Sequence, residues 1–204
     1  MKKVLLLIVF LLYGYSDVDI MNHPELKNLD YVDSVMKVYS QTIVWQHPKW
    51  KGVHRQQSKD AFIMEFIPNN QELKTWSDML TIQGFKGLAE KKDITPQDIE
   101  LLLANNIKNI SSSELIFQEL SNISINGYEG VLFLLGLKKL PYEIIVELPE
   151  GVSEVSLYLV VKGKSDFYVM HRSWKREAIV NNKLPFSDLE LQEWVNVFKN
   201  VKIY

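Results

Sequence analysis

The chain has 204 residues, of which 47% are hydrophobic and 24% are charged, and its formal net charge at pH 7 is −2. This is the composition of an ordinary globular domain, and the length is sufficient to bury a core. Nucleic-acid binding requires a concentrated basic surface, so the charge favours no nucleic-acid partner. The sequence contains no cysteine, which excludes disulfides, thiolate nucleophiles and thiolate metal sites.

Residues 1–16 have the three regions of a secretory signal peptide. Lys2 and Lys3 supply positive charge, residues 4–12 are uninterrupted apolar sequence, and Gly14 and Ser16 are small residues before a cut preceding Asp17. The apolar run is too short for a spanning helix, which needs about 20 residues. We therefore predict cleavage rather than a membrane anchor, no membrane span after cleavage, and a secreted or periplasmic protein. The Lys-, Asn- and Ile-rich composition favours a bacterial source.

Residues 17–40 form a lead-in segment of mixed character, followed by a domain over residues 41–204. Within the lead-in, Leu29, Val32, Met36 and Tyr39 have helical spacing, which predicts a short helix. Residues 41–45 are strand-like. After a turn at "HPKWKG", residues 53–67 are predicted to form a β-hairpin.

Two helices are predicted from capping residues followed by apolar stripes. Thr95 caps the first, Pro96 takes its first position and Asp98 its third. Ser187 and Glu190 form the capping box of the second. The stripes are formed by Ile99, Leu102, Leu103 and Ile107 in the first helix, and by Leu191, Trp194, Val195 and Phe198 in the second.

Strands cluster at residues 41–67 and 114–174, and Asn126–Gly127 predicts a tight hairpin. The connections between strands are short, which indicates antiparallel pairing. The predicted fold class is α+β: an antiparallel sheet flanked by helices, in a single-domain sandwich. We expect both helical stripes to pack on one face of the sheet.

The stretch "EFIPNNQELKTWSDMLTIQGF" at residues 65–85 resembles a pattern in uncharacterised exported proteins of proteobacteria. In that pattern a strand ends in Glu-(Tyr/Phe)-x-Pro, and a polar turn leads to Trp-(Ser/Thr)-(Asp/Glu)-Met and another strand. "FYVMHRSWKRE", a later proline and a Trp-bearing last helix match the same family. The resemblance implies no known activity. The arrangement is also loosely similar to PsbP-like folds, which implies a protein that acts by binding.

The first candidate binding residues are Trp76, Ser77 and Asp78. Thr75 can cap a short helix there, with Asp78 three residues later, so that Trp76 and Met79 face the sheet. In one interpretation Trp76 is a packing residue, and we expect it and Trp194 to be buried. In the other, the three residues border a binding groove.

The second candidate group lies in "HRSWKR": His171, Arg172, Trp174, Lys175 and Arg176. Arg172, Lys175 and Arg176 are predicted to form a basic cluster beside Trp174, whose ring could take part in binding if it is partly exposed. Such a cluster can bind a carboxylate or another anion, because arginine donates two parallel hydrogen bonds. The alternative is a solvated strand end in which the Arg172 stem covers Trp174.

The remaining chemistry is sparse. No H-E-x-x-H, G-x-S-x-G, P-loop or dinucleotide-binding pattern occurs, so we predict no catalytic residue and no cofactor. His47 and His54 can meet across a hairpin, with Glu65 as a third ligand, but we expect polar surface residues and no metal.

Two functions therefore compete. The first is an exported, non-enzymatic binding protein for an unknown protein, peptide or carbohydrate. Trp45 and Trp50 would favour it if they are partly exposed beside their turn, although we expect such rings to pack in the core. The second is a small secreted hydrolase that uses His171, or His47 and His54. The missing motifs favour the first.

Overall fold

The computed structural model describes residues 31–110, 114–138, 152–177, 179, 184 and 187–204. The predicted signal peptide and most of the predicted lead-in lie outside these residues. The strands are β1 (Tyr31–Val38), β2 (Gln41–Pro48), β3 (Lys51–Gln57), β4 (Ala61–Ile67), β5 (Asp78–Phe85), β6 (Leu115–Ile125), β7 (Tyr128–Leu137), β8 (Val152–Lys162), β9 (Phe167–Glu177) and β10 (Lys202–Ile203). The helices are α1 (Pro96–Ile110), α2 (Asp188–Lys199) and a 3-10 turn at Leu88–Glu90.

The strands form two antiparallel sheets. The large sheet has seven strands in the order β3-β4-β5-β9-β8-β7-β6, and the small sheet has three in the order β1-β2-β10. Strands β3 to β5 are consecutive in the chain and adjacent in the sheet, and so are strands β6 to β9. The two blocks join where β5 pairs with β9. Antiparallel pairing within a single domain is thus confirmed, although strands outweigh helices so far that α+β is a loose description.

The two helices lie on opposite faces of the large sheet, so the expectation that both pack on one face is wrong. Helix α1 packs on β6, β7 and β8 over a core that includes Phe133 and Val160. Helix α2 and the small sheet cover the other face, where Leu157 and Leu159 belong to the second core. Strands β7 and β8 carry apolar residues on both faces, and therefore both faces require cover.

The predicted N-terminal helix is absent where the structure describes it. Residues 31–38 instead form β1, which pairs with β2 along its whole length, from Tyr31 opposite Pro48 to Val38 opposite Gln41. The connecting turn places Tyr39 at a φ of 53°. The helical pattern here is weakly apolar and contains several β-branched valines, which favour strands. A strand with a full ladder of hydrogen bonds to β2 is therefore more stable than a helix.

Locally encoded features match the structure closely. The Asp98 backbone N–H donates to Thr95 Oγ1 over 3.2 Å, and the Thr95 N–H donates to Asp98 Oδ2 over 2.8 Å. Ser187 and Glu190 form the predicted capping box of α2. Asn126 and Gly127 have φ values of 51° and 84°, which are typical of a type I′ hairpin.

One buried carboxylate ties the two sheets together. Asp166, just before β9, accepts hydrogen bonds from Ser40 Oγ over 2.7 Å and from the Gly87 N–H over 2.8 Å. The Tyr168 hydroxyl donates to the same carboxylate over 3.3 Å. The β1–β2 turn, the 3-10 turn and β9 therefore share one acceptor, which fixes the start of β9 in place.

Candidate functional site: a polar floor beside helix α1

Alternation along β9 divides the predicted site between two faces of the sheet. Arg172 and Trp174 face the core shared with α2, whereas His171 and Lys175 face the side that carries α1. The predicted cluster of Arg172 with Lys175 is therefore wrong, because residues an odd number apart in a strand point in opposite directions. The side chain of Arg176 lies outside the described part.

Arg172 lies in a cage of indole rings. Its guanidinium carbon is 3.8 Å from the centroid of Trp194, 4.7 Å from that of Trp174 and 5.5 Å from that of Trp50. Its Nε–H donates to Asp78 Oδ1 over 2.8 Å, and both charged side chains are largely buried.

Cation–π contacts and a charge-assisted hydrogen bond thus balance the Arg172 charge from several sides. Trp174 is 2% exposed, so the condition under which its ring could take part in binding is not met. A cluster with its charges balanced in this way holds α2, β9 and the start of β5 together.

Trp76 is buried at 6% exposure, as predicted, but no helix carries it. Residues 73–75 form a turn, and Gln71 organises the connection by accepting from the Ser77 N–H and donating to Ser77 Oγ, each over 2.8 Å. A helix of so few residues would make too few hydrogen bonds to offset the free energy cost of helix nucleation. The Trp76 ring packs with Ile67 and Met79, and Lys175 Nζ lies 3.6 Å from its centroid.

A continuous polar surface covers the α1-facing side of the sheet next to the helix. Strand register places Glu65 opposite Thr81, Thr81 opposite His171, Ser173 opposite Ser156, and Lys175 opposite Glu154. We call this surface the polar floor, and it consists of Glu65, Thr81, Glu154, Ser156, His171, Ser173 and Lys175. Helix α1 lies over β6 to β8, so the floor extends beside it across β4, β5, β9 and the edge of β8.

Hydrogen bonds connect the centre of the floor. His171 Nδ1 is 3.1 Å from Ser173 Oγ, and Ser173 Oγ is 2.6 Å from Ser156 Oγ. The His171 ring stacks on Tyr158 at a centroid distance of 4.6 Å. Burial lowers the pKa of His171 to about 3, so its imidazole is neutral at physiological pH and provides one donor and one acceptor.

The charged groups of the floor are half-buried and titrate abnormally. Burial, reinforced by the charge of Glu154, raises the pKa of Glu65 to about 7. Burial also raises the pKa of Glu154, while it lowers the pKa of Lys175 against the opposing pull of both carboxylates. Perturbed ionisable groups of this kind concentrate at functional sites.

The two floor carboxylates have no hydrogen bond or ion pair, and the Thr81 hydroxyl has no hydrogen-bond partner, within the described residues. Thr81 is 0% exposed. Most buried polar groups in proteins are paired, so a buried unpaired hydroxyl next to an unpaired, half-buried carboxylate calls for an explanation.

The two histidines considered as metal ligands do not meet, and His47 is 2% exposed, so the expectation that it is a polar surface residue is wrong. His47 lies in the small sheet opposite Val32, and its Nδ1–H donates to the Pro48 carbonyl over 2.7 Å. His54 lies in the large sheet opposite Glu65. Among the residues that the structure describes, no group of three or more His, Cys, Asp or Glu is placed to hold a metal ion.

Exposed tryptophans do not provide a binding platform either. Trp45 is buried at 0% exposure and stacks on Phe198, so the expected core packing is confirmed for it, while Trp50 is half-buried beside Arg172. In the described part of the chain, no helix is long and apolar enough to cross a membrane.

Several floor residues were not identified from sequence. Glu65 was considered only as a metal ligand, and Thr81, Glu154, Ser156 and Ser173 were not singled out. One signal was present: Glu154 and Ser156 are polar residues at alternate positions, just before the apolar run from Leu157 to Val161. Their proximity to His171 and Lys175 depends on the β8–β9 register, which no local pattern specifies.

Comparison with known proteins gives distant likenesses. No family model and no curated protein matches the chain. A Pseudomonas aeruginosa protein of unknown function, PA94, aligns over 82% of this chain and 94% of its own, with a TM-score of 0.39 and 11% identity. LpqN, involved in cell envelope biogenesis of Mycobacterium tuberculosis, aligns over 92% and 99% with a TM-score of 0.36 and 12% identity. Both TM-scores are too low for either likeness to bear on function.

Proposed function

We propose that the protein is an exported, non-enzymatic binding protein whose polar floor binds a small polar ligand. One observation carries the proposal: half-buried carboxylates lie beside a lysine and a histidine–serine pair, and the carboxylates have no protein partner among the described residues. Stripping water from polar groups without replacing its hydrogen bonds costs free energy, and a ligand that supplies those bonds recovers it.

The surroundings of the floor suit a binding role. Packing positions the strands that carry it, since β4, β5, β9 and β8 are neighbours near the centre of the large sheet. Helix α1 borders one side, and Trp76 packs at the end where Lys175 lies. Binding sites combine an apolar frame with a few convergent polar groups in this way.

Nuclear magnetic resonance with a library of sugars, dipeptides, carboxylates and small amines tests the proposal. We expect ligand-induced shifts of backbone amides to concentrate on Glu65, Thr81, His171, Ser173 and Lys175. Lys175→Met should change the affinity of any hit, by weakening an anionic or neutral ligand or strengthening a cationic one, while Lys199→Met, which removes an exposed lysine from α2, should not. Shifts confined to the α2-facing side, or equal effects of the two variants, would contradict the proposal.

The hydrogen bond between His171 and Ser173 favours hydrolysis as a second candidate. A serine nucleophile requires a histidine base and an approach route for the substrate. Ser173 is 2% exposed and Ser156 4%, and no carboxylate bonds to His171 among the described residues. We therefore expect wild type and His171→Gln to turn over p-nitrophenyl acetate equally slowly. A rate that disappears in both His171→Gln and Ser173→Ala would establish the hydrolase.

Export rests on the pattern of residues 1–16, and the resemblance to exported proteobacterial proteins agrees with it. We propose removal of this segment, giving a periplasmic or secreted protein that begins at Asp17. N-terminal sequencing of protein recovered from periplasm and medium checks the cut. Recovery of a chain that still begins with Met1 in the membrane fraction would contradict it.

A further inference from the structure

Strand β6 forms one edge of the seven-stranded sheet, and its outer side pairs with no strand among the residues that the structure describes. In an antiparallel sheet, about every second residue of an edge strand directs its N–H and C=O groups away from the partner strand. Such groups are a template for a further strand. From Leu115 opposite Leu137 to Glu119 opposite Phe133 the register with β7 is unbroken, so this part of the edge is regular.

The opposite edge of the same sheet is better protected against pairing. Natural edge strands are commonly blunted by charged residues, prolines or bulges. Strand β3 contains Lys51 and Arg55, and its register with β4 is interrupted. Strand β6 contains no lysine, arginine or proline, and the irregularity in its register comes after Glu119. Residues 115–119 are therefore the less protected of the two edges.

Exposed apolar side chains border this part of β6. Phe117 packs on the buried Phe133 ring at a centroid distance of 6.2 Å, yet it is 42% exposed. On α1, the Gln97 side chain donates a hydrogen bond to Asn122 of β6, so this side of the helix faces the edge strand. Leu101 lies one helical turn after Gln97 and is 52% exposed. A strand added to β6 therefore covers apolar surface as well as backbone polar groups.

The charge of this edge indicates which kind of strand complements it. Glu119 is the one charged residue of β6, and it is exposed and forms no hydrogen bond or ion pair within the described residues. The cation that follows β7, Lys138, is already bound to Glu114 over 2.6 Å. The β6 strand of a second copy has no basic residue to offer and brings another carboxylate. A different strand with a basic residue opposite Glu119 is complementary.

We propose that β6 binds an extended peptide segment of a partner protein, which adds to residues 115–119 as an antiparallel eighth strand. The peptide backbone pairs with the open edge, an apolar side chain packs on Phe117, and a basic side chain two residues earlier lies opposite Glu119. Main-chain hydrogen bonds give such binding its affinity, and alternate side chains give it specificity. This edge lies on the other side of α1 from the polar floor, so the inference is independent of the proposed ligand site.

A capped heptapeptide, Thr-Lys-Thr-Val-Val-Val-Thr, tests the docking edge. In antiparallel register its lysine lies opposite Glu119 and its first valine opposite Phe117. The peptide is titrated into the full chain without residues 1–16, and backbone amides are followed by nuclear magnetic resonance. We expect shifts at residues 115–119. Replacing the lysine of the peptide by glutamate should weaken binding about tenfold, because an attraction becomes a repulsion.

Backbone methylation tests whether a ladder of hydrogen bonds forms. One version of the peptide is N-methylated at its even-numbered residues and another at its odd-numbered residues, since a strand donates to one neighbour only through alternate N–H groups. We expect one version to bind like the parent peptide and the other not to bind. Equal affinities of the two versions would overturn the proposal.

A charge exchange locates the site on β6. Glu119→Lys should reverse the preference, so that the glutamate peptide binds more tightly than the lysine peptide. Glu129→Lys is the matched control, because it changes an exposed glutamate on the neighbouring strand β7, and it should keep the wild-type preference. Thermal unfolding of each variant confirms that it is folded. The same preference in both variants would show that Glu119 does not read the peptide.

The remaining outcomes separate this edge from other sites. If the wild-type chain sediments as a dimer whose interface contains residues 115–119, a second copy occupies the edge and the proposal is overturned. It is also overturned if the peptide shifts no amide of these residues, or only those of the polar floor. The small polar ligands that test the floor are different probes, so failure at β6 leaves the proposed function standing.

Discussion

The charged side chains on the two faces of β9 lie in opposite kinds of environment. On the α2 side, Arg172 is bonded to Asp78 and surrounded by three indole rings. On the α1 side, Lys175 lies near two carboxylates that make no ion pair within the described residues. From the sequence, the basic residues of both faces were predicted to form one cluster. A charge with its bonds made stabilises the fold, whereas a half-buried charge without them is available to a ligand.

The largest effects are expected from the tryptophans of each face. Trp76→Ala, Trp174→Ala and Trp194→Ala each remove a buried ring, which typically costs about 3–5 kcal/mol. Against a typical stability of about 5–15 kcal/mol, each change should be severe. Denaturant unfolding checks this. A Trp76→Ala midpoint near that of wild type would show that Trp76 is not a packing residue, and the polar connection around it would become a candidate binding rim.

Replacing one charged residue on each face of β9 compares the two faces more directly. Arg172→Met should destabilise by about 3 kcal/mol, because it leaves Asp78 partly buried without its partner. Lys175→Met should change stability by less than about 1 kcal/mol, since Lys175 pays a desolvation cost that methionine avoids. Urea titrations of both variants measure these changes in the free energy of unfolding. Equal losses would mean that Lys175 is as structural as Arg172, and the contrast between the faces would disappear.

A smaller effect concerns pH. The pKa of Glu65 is raised from 4.5 to about 7 by folding, so the folded state holds this proton more tightly than the unfolded state. Its contribution to stability is full below pH 4.5 and is lost as the pH rises through 7.

Glu65→Gln should therefore recover about 2 kcal/mol at pH 8 and little at pH 4.5, a figure reduced to allow for solvent screening. Unfolding of wild type and variant across this pH range provides the measurement. Glu129→Gln, an exposed change in β7, serves as the control. A Glu65→Gln variant with an unchanged pH profile would show that the carboxyl is well solvated.

Local chemistry determined how much of the fold was predictable. Thr95 with Asp98, and Ser187 with Glu190, specify helix starts through contacts three residues apart, and Asn126–Gly127 specifies its own turn. Strand β1 was mistaken for a helix because its conformation depends on a partner strand. The helical spacing from Val32 to Tyr39 carried no information about β2.

The candidate site depended on distant pairings, so it was less predictable. The residues "HRSWKR" were identified from the sequence. It was not predicted that alternation along the strand places Arg172 and Lys175 on opposite faces of the sheet. Asp78 was chosen for its place beside Trp76, whereas its function in the structure is to bind Arg172, 94 residues away. Glu154 acquires its importance only because the register sets it opposite Lys175. Such contacts follow from sheet order, which short patterns do not encode.

Under the proposed binding function, the Arg172 cage has a consequence for how fast a ligand binds on the other side of the same strand. It holds β9 against α2 at Arg172, one residue from His171 and Ser173, and Asp166 holds the beginning of the strand. The floor is thereby pre-organised, and little conformational entropy remains to be lost on association. Encounter should then be limited by diffusion and orientation rather than by a slow rearrangement, and differences in affinity among ligands should reside in their dissociation rates.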